Sequence, residues 1–267
     1  MVTVIIPVYK ENLGKKELLS FRQCIKILKN HDIHVICPLG LDLPSEILKE
    51  KNVLVKRFNS NFFKNIDGYN KLLLSKEFYL SFKNYRFMLI YQLDAYVFKD
   101  ELEYWCNKDY DYIGAPWAYK NDSGKIELRT GNGGFSLRKI SSHLKIFDKY
   151  KIIDSRKGII NDFWNQGKLA FIMKMYSWIP RLVGLKNNSK YFIKNFEKNE
   201  DYFWALYAPQ INKKFKVAPP SEALKFGFEL NPRYLYELNN KTLPFGCHAW
   251  EKYDSKFWHN HINIKDN

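Results

Sequence analysis

The sequence predicts an α/β fold, a mixed, mainly parallel sheet flanked by helices within a single domain. Three observations carry that prediction. The first hundred residues alternate apolar, β-branched runs with stretches of helical periodicity, the order that builds parallel strands joined by crossover helices. The most apolar run of the chain, residues 85–93, follows a long helical stretch and stops at Asp94, as a central strand would. The 267 residues are 46% hydrophobic and 17% aromatic with only 13 Gly and 10 Pro, which excludes disordered, collagen-like and low-complexity classes and allows one large core.

Each element has its own signal. Val2-Thr3-Val4-Ile5-Ile6-Pro7-Val8 is apolar and β-branched and reads as a buried strand ending near Pro7. Leu18, Leu19, Cys24, Ile25 and Leu28 recur at helical spacing and predict a helix over 15–30, followed by a second strand over 33–37. A short helix over 44–51, with Ser45 as its N-cap, precedes a third strand at 53–55. Residues 67–83 read as one long helix ahead of the strand at 85–93. After residue 100 the pattern loosens into a polar segment at 120–125 and the string Gly131-Asn132-Gly133-Gly134 before a strand-like run. Glycine there allows positive φ and close backbone approach to a ligand, although a glycine-rich hairpin turn would use it equally well. No repeat or linker interrupts the chain, so 1–100 and 101–267 are read as two halves of one domain.

Charge and cysteine usage narrow the function without naming it. The 43 Lys+Arg against 28 Asp+Glu leave a formal charge of +15, which favours anionic partners. A Lys-, Asn-, Ile- and Tyr-rich chain reaches such a charge through coding bias as well. Basic and aromatic residues are not gathered into a nucleic-acid-binding signature, so no nucleic acid is expected as partner. The absence of G-x-G-x-x-G after the first strand and of a P-loop argues against dinucleotide oxidoreductases and P-loop NTPases. Cys24, Cys37, Cys106 and Cys247 are scattered and read as reduced thiols of a cytoplasmic protein. No secretory signal and no stretch of about 18 apolar residues is visible. Residues 169–194 interleave Lys174, Arg181, Lys186, Lys190 and Lys194 with large apolar side chains, a pattern suited to an ordinary pair of helices broken at Pro180 or to peripheral contact with an anionic membrane.

Four places carry candidate chemistry: Gln92-Leu93-Asp94-Ala95-Tyr96 at a strand end, where ligands of open parallel sheets sit; residues 131–138; Asn199-Glu200-Asp201-Tyr202-Phe203-Trp204; and Phe245-Gly246-Cys247-His248-Ala249-Trp250. Singly, each has a bland reading. Asp94 can simply end a strand, Glu200-Asp201 can favour a helix start, and His248 can be a core histidine.

Their order resembles the GT-A class of nucleotide-sugar glycosyltransferases, and more closely a bacterial glycosyltransferase family. The residues that carry the resemblance are Tyr112-Ile113-Gly114-Ala115-Pro116-Trp117, then Gly131-Asn132-Gly133-Gly134-Phe135-Ser136-Leu137-Arg138, then Glu200-Asp201, with Thr3-Val4-Ile5-Ile6-Pro7-Val8-Tyr9 and Gly68-Tyr69-Asn70 ahead of them. The resemblance covers most of 1–250 and implies a Rossmann-type GT-A fold whose first hundred residues hold a nucleotide-sugar, UDP-linked by expectation. Pro7, Val8, Tyr9 and Glu11 would pack around base and ribose. Gly68, Tyr69, Asn70, Gln92, Asp94, Tyr96, Gly133 and Gly134 would meet the diphosphate and sugar.

In that class a departing diphosphate is neutralised by Mn²⁺ or Mg²⁺ on an Asp-x-Asp signature. Here Asp94-Ala95-Tyr96 supplies only the first acid, because a neutral phenol is a poor ligand for a hard cation. The resemblance offers His248 beside Asp94 as the metal ligands, and Lys or Arg as substitutes if no metal binds. It also implies Glu200-Asp201 as the catalytic acidic pair, with Asp201 the base of an inverting transfer, and Trp117, Tyr202 and Trp204 as contacts to a glycan or lipid-linked acceptor used in surface polysaccharide synthesis. Two other classes compete: a non-catalytic basic binder of membrane or nucleic acid, and a GT-A-like nucleotidyltransferase. The latter would need a glycine- and lysine-rich loop where Pro7-Val8-Tyr9-Lys10-Glu11 stands.

Overall fold

Alternation along the early strands decides the layers. In β1 (Val2–Pro7) every residue is buried, with Val2, Val4 and Ile6 in one apolar cluster and Ile5 in another. In β4 (Phe87–Tyr91), Phe87, Leu89 and Tyr91 face the first cluster while Met88 and Ile90 face the second. A strand buried on both faces must be covered by helices on both, so these runs are continuously apolar rather than alternating. On one side lie α1 (Lys15–Ile27) and α5 (Leu102–Asn107), bringing Phe21, Cys24 and Trp105. On the other lie α3 (Ile66–Leu73), α4 (Lys76–Leu80) and α6 (Ile140–Asp148), with Leu72, Phe78 and Ile146.

These elements belong to a computed structural model that describes residues 1–120, 126–165, 167, 172–173 and 175–263. The strands β2 (Asp32–Pro38), β3 (Val53–Phe58), β6 (Tyr112–Gly114) and β9 (Phe135–Lys139) complete a six-stranded sheet of order β3-β2-β1-β4-β9-β6. The first four strands are parallel; β9 runs antiparallel between β4 and β6. The expected mixed, mainly parallel α/β sheet is present. A hairpin of β7 (Pro116–Lys120) and β8 (Ile126–Thr130) lies outside it. So does a small sheet of β5 (Tyr96–Val97), β10 (Gly227–Phe228) and β11 (Gly246–Cys247), which holds the end of the chain beside the end of β4.

Several local expectations are corrected. The short helix α2 (Ser45–Leu48) has Pro44, not Ser45, at its N-cap and no side-chain cap bond. The single helix expected over 67–83 is two. Ser75 ends the first by donating to the Leu72 carbonyl (2.7 Å) and starts the second by accepting from the Phe78 N–H (3.2 Å). A 3₁₀ turn, Ser60–Phe63, precedes them. All four cysteines are buried and unpaired. No helix among the described residues is long and apolar enough to cross a membrane. Of the 169–194 segment, residues 169–171 and 174 lie outside the described residues. The described part contains helix Met175–Leu182, and Ile172, Met173, Tyr176, Ile179 and Val183 are exposed.

Candidate active site

The loops after β1 and β4 open onto a cleft of about 1110 Å³ at the carboxyl ends of these strands. Pro7, Val8 and Tyr9 line it from β1, Tyr69 and Asn70 from α3, Gln92 and Asp94 from β4, and Gly133 and Gly134 from the loop before β9. Glu200 and Asp201 line it from a short helix, Glu200–Tyr202, and His248 from the end of β11. Residues separated by as much as 245 positions, from Pro7 to Lys252, thus share one cavity.

The glycine string explains how the site closes on itself. A Cβ on Gly133 would stand 2.2 Å from Glu200 Oε1, and one on Gly134 would stand 2.0 Å from His248 Nε2. The close approach predicted at these glycines is therefore made by the protein's own side chains. Between them and Gly131, Asn132 adopts φ +55°, accepts from the Phe135 N–H (3.1 Å) and lays its amide nitrogen 3.0 Å from His248 Nδ1.

His248 stands between two carboxylates. Its Nδ1 is 3.0 Å from Glu229 Oε1, and its Nε2 is 3.1 Å from both Asp94 Oδ1 and Gln92 Oε1. Burial alone would favour the neutral ring, but the charges and hydrogen bonds of Asp94 and Glu229 outweigh it and raise the imidazole to about 10. Burial likewise tends to raise Asp94, and His248 reverses this and leaves its carboxyl below the usual range.

Deeper still, Arg138 and Glu200 form a buried bidentate pair at 2.7 and 2.8 Å. Arg138 also donates to Ser136 Oγ (3.0 Å), Tyr79 Oη (3.1 Å) and the Gly133 carbonyl (3.3 Å). The Glu200 backbone N–H donates to Asn70 Oδ1 (3.2 Å). These bonds fix the start of the short helix that carries Asp201. Burial and the adjacent Glu200 charge raise the Asp201 carboxyl to about 7, against a bond from the Tyr202 N–H (2.8 Å) that lowers it. A π-helical turn, Phe203–Tyr207, follows at once, a local irregularity that accompanies many functional sites.

Some expected site residues lie elsewhere. Tyr96 is buried in the cluster of Phe228 and Trp250 and does not line the cleft. Gly68 serves packing: a Cβ there would meet the Asn61 carbonyl at 2.5 Å, so glycine lets α3 rest on the 3₁₀ turn. Glu11 is exposed outside the cleft lining. Trp204 is fully buried and donates to the Leu73 carbonyl (3.3 Å), so its ring is core and does not line the cleft. Trp117 packs against Gly131 and stacks on Tyr202 with centroids 4.4 Å apart, leaving Tyr202, 38% exposed, as the accessible aromatic. Glu200, expected as half of a catalytic pair, is consumed by Arg138. Sequence reasoning missed Arg138, Asn132, Glu229 and the lysines of the cleft. The first two lie inside the quoted glycine string; Glu229 has no local signal.

The expected divalent metal does not fit these side chains. The two expected ligands, Asp94 and His248, meet at 3.1 Å on one ring nitrogen, Nε2, but Tyr96 is turned away and Glu229 reaches only the opposite nitrogen, so no third ligand of the expected kind joins them. Among the described residues no group of three or more His, Cys, Asp or Glu could hold a metal ion.

The fold is that of an α/β protein with a cleft at the carboxyl edge of its sheet. Residues 52–248 match the family described as "Protein of unknown function (DUF5672)", and the chain belongs to that family. No curated protein matches. Several solved structures similar to this chain are described as glycosyltransferases. The galactosyltransferase LgtC in complex with donor and acceptor sugar analogues is 13% identical, with TM-score 0.46, over 99% of this chain and 92% of that one. A glycosyltransferase involved in glycosylation of the major capsid of PBCV-1 is 10% identical, with TM-score 0.43, over 98% of each chain. The glycosyltransferase GlyE of Streptococcus pneumoniae TIGR4 is 10% identical, with TM-score 0.45, over 98% of this chain and 60% of that one. Likenesses this distant assign no donor, acceptor or mechanism.

Proposed function

We propose that this chain is a nucleotide-sugar-dependent glycosyltransferase that moves a hexosyl group, with inversion, to a glycan or lipid-linked acceptor of a bacterial surface glycan. The observation that supports this best is convergence. Four of the five separated segments that carry the sequence resemblance line one cleft together with Gln92, Asp94 and His248, and Asp201 is its one carboxylate, among the described residues, without a cationic partner. In this reading residues 1–100 supply the nucleotide side, with Pro7, Val8 and Tyr9 around the base and Tyr69, Asn70, Gln92 and Asp94 toward the diphosphate and sugar. Residues 101–267 supply the base and acceptor side.

The acceptor hydroxyl gives its proton to the Asp201 carboxylate as its oxygen bonds to the anomeric carbon. The bond from that carbon to the diphosphate oxygen breaks, and the nucleoside diphosphate leaves with the electron pair. A base of pKa about 7 is well matched to this task at neutral pH. Arg138 and Glu200 position it, and Tyr202, braced by Trp117, offers a ring face to the apolar side of an acceptor sugar. We place the protein in the cytoplasm, in peripheral contact with the membrane through the segment 169–194 and its Lys186, Lys190 and Lys194. Incubation with UDP-, GDP- and CDP-sugars tests the activity: one donor should be turned over to its free nucleoside diphosphate, and no turnover and no binding across the panel would refute the reading.

A further inference from the structure

The ion pairs of the cleft leave a distinctive remainder. Glu17 is taken by Lys10 (2.6 Å), Glu251 by Lys16 (3.1 Å), Glu200 by Arg138, and Asp94 and Glu229 share His248. Lys15, Lys64 and Lys252 also line the cleft, and among the described residues none of them pairs with a carboxylate. They come from three different places: the first residue of α1, the segment before α3, and the segment after β11. A nucleotide-sugar carries about two negative charges on its diphosphate, and the departing nucleoside diphosphate about three, which is the charge these ammonium groups can meet by charge-assisted bonds.

We propose that Lys15, Lys64 and Lys252 form the diphosphate-binding site and stand in for the divalent metal, so that the donor binds and departs without one. The proposal rests on the glycosyltransferase reading and specifies how its leaving group is neutralised. Lysine acts as a mobile point charge that follows a phosphate without fixed coordination geometry, which suits a cleft where Tyr96 has left the metal signature incomplete and Asp94 is committed to His248. The lysines sit at the rim, so replacing them leaves the core intact.

Calorimetric titration of the full chain with UDP, GDP and CDP, in EDTA and again in Mn²⁺, tests this. The preferred nucleotide should bind in EDTA within about twofold of its affinity in Mn²⁺, weaken as salt rises, and lose at least about tenfold in each of Lys64→Ala and Lys252→Ala. Lys213→Ala, exposed and outside the cleft, removes the same charge and should leave affinity unchanged. Binding that vanishes in EDTA and returns with Mn²⁺ would overturn the lysine site while leaving the glycosyltransferase reading standing. Nucleotide affinity unaltered in both lysine variants would overturn it too. No binding of any nucleotide in either buffer would overturn both.

Discussion

Arg138→Met tests how the site is held. The guanidinium is fully buried and donates to Glu200 at 2.7 and 2.8 Å, to Ser136 at 3.0 Å, to Tyr79 at 3.1 Å and to the Gly133 carbonyl at 3.3 Å. Methionine fills much of the same volume and makes none of these bonds, so the Glu200 carboxylate is left buried without a counter-charge. Breaking such a pair from one side costs about 3–5 kcal/mol, a large part of the roughly 5–15 kcal/mol that holds a typical domain. At about 2–4 °C per kcal/mol for a chain of this size, the melting temperature should drop by about 10 °C. Urea denaturation followed by tryptophan fluorescence reads the free energy directly. The double variant Arg138→Met/Glu200→Leu removes both charges and should regain a good part of the loss. A drop below about 1 kcal/mol in the single variant, or no recovery in the double, would refute the account of the buried pair.

Gly134→Ala should displace His248 and Gln92, because the new methyl would stand 2.0 and 2.6 Å from their Nε2 and Oε1 atoms. Overpacking of this kind costs about 1–3 kcal/mol, and titration should show weakened nucleotide binding; unaltered affinity would contradict the argument. The chain should sediment with anionic liposomes at low salt and be released as salt rises, through exposed Ile172, Tyr176, Ile179 and Val183 and the neighbouring lysines. Binding that persists in a variant with Lys186, Lys190 and Lys194 changed to Glu, or no sedimentation at low salt, would count against that contact.

What was legible in the sequence depended on how local its cause is. β1, β2 and β4 follow from runs of apolar, β-branched residues, because strands buried on both faces need nothing else to declare themselves, whereas β3 is an edge strand whose Leu54 and Val55 are exposed. The break at Ser75 is set by two short hydrogen bonds within a pattern that stays helical on either side, so periodicity alone runs through it. The order of β9 and β6 depends on pairings that no segment contains. The same division holds at the site. Asp94, Asp201 and His248 stand in recognisable strings, and the structure brings all three into one cleft. The meaning of Arg138 lies in Glu200, 62 positions away, and without that partner an arginine near a strand end reads as surface charge. Trp204 shows the reverse error: beside Asp201 in sequence, it points into the core because the short helix and the turn after it send successive side chains in different directions.

The central claim is that Asp201 is the base of a sugar transfer. The pH profile of kcat/KM for the preferred donor, measured for the wild type and for Asp201→Asn, tests it most directly. The carboxylate acts only when ionised, so the rate should climb with pH, reach half its plateau near 7 and level above it. Asp201→Asn should lose about 10²-fold or more with nucleotide binding retained. A wild-type profile flat from pH 5 to 9, or a folded Asp201→Asn protein with near-normal transfer, would contradict the account.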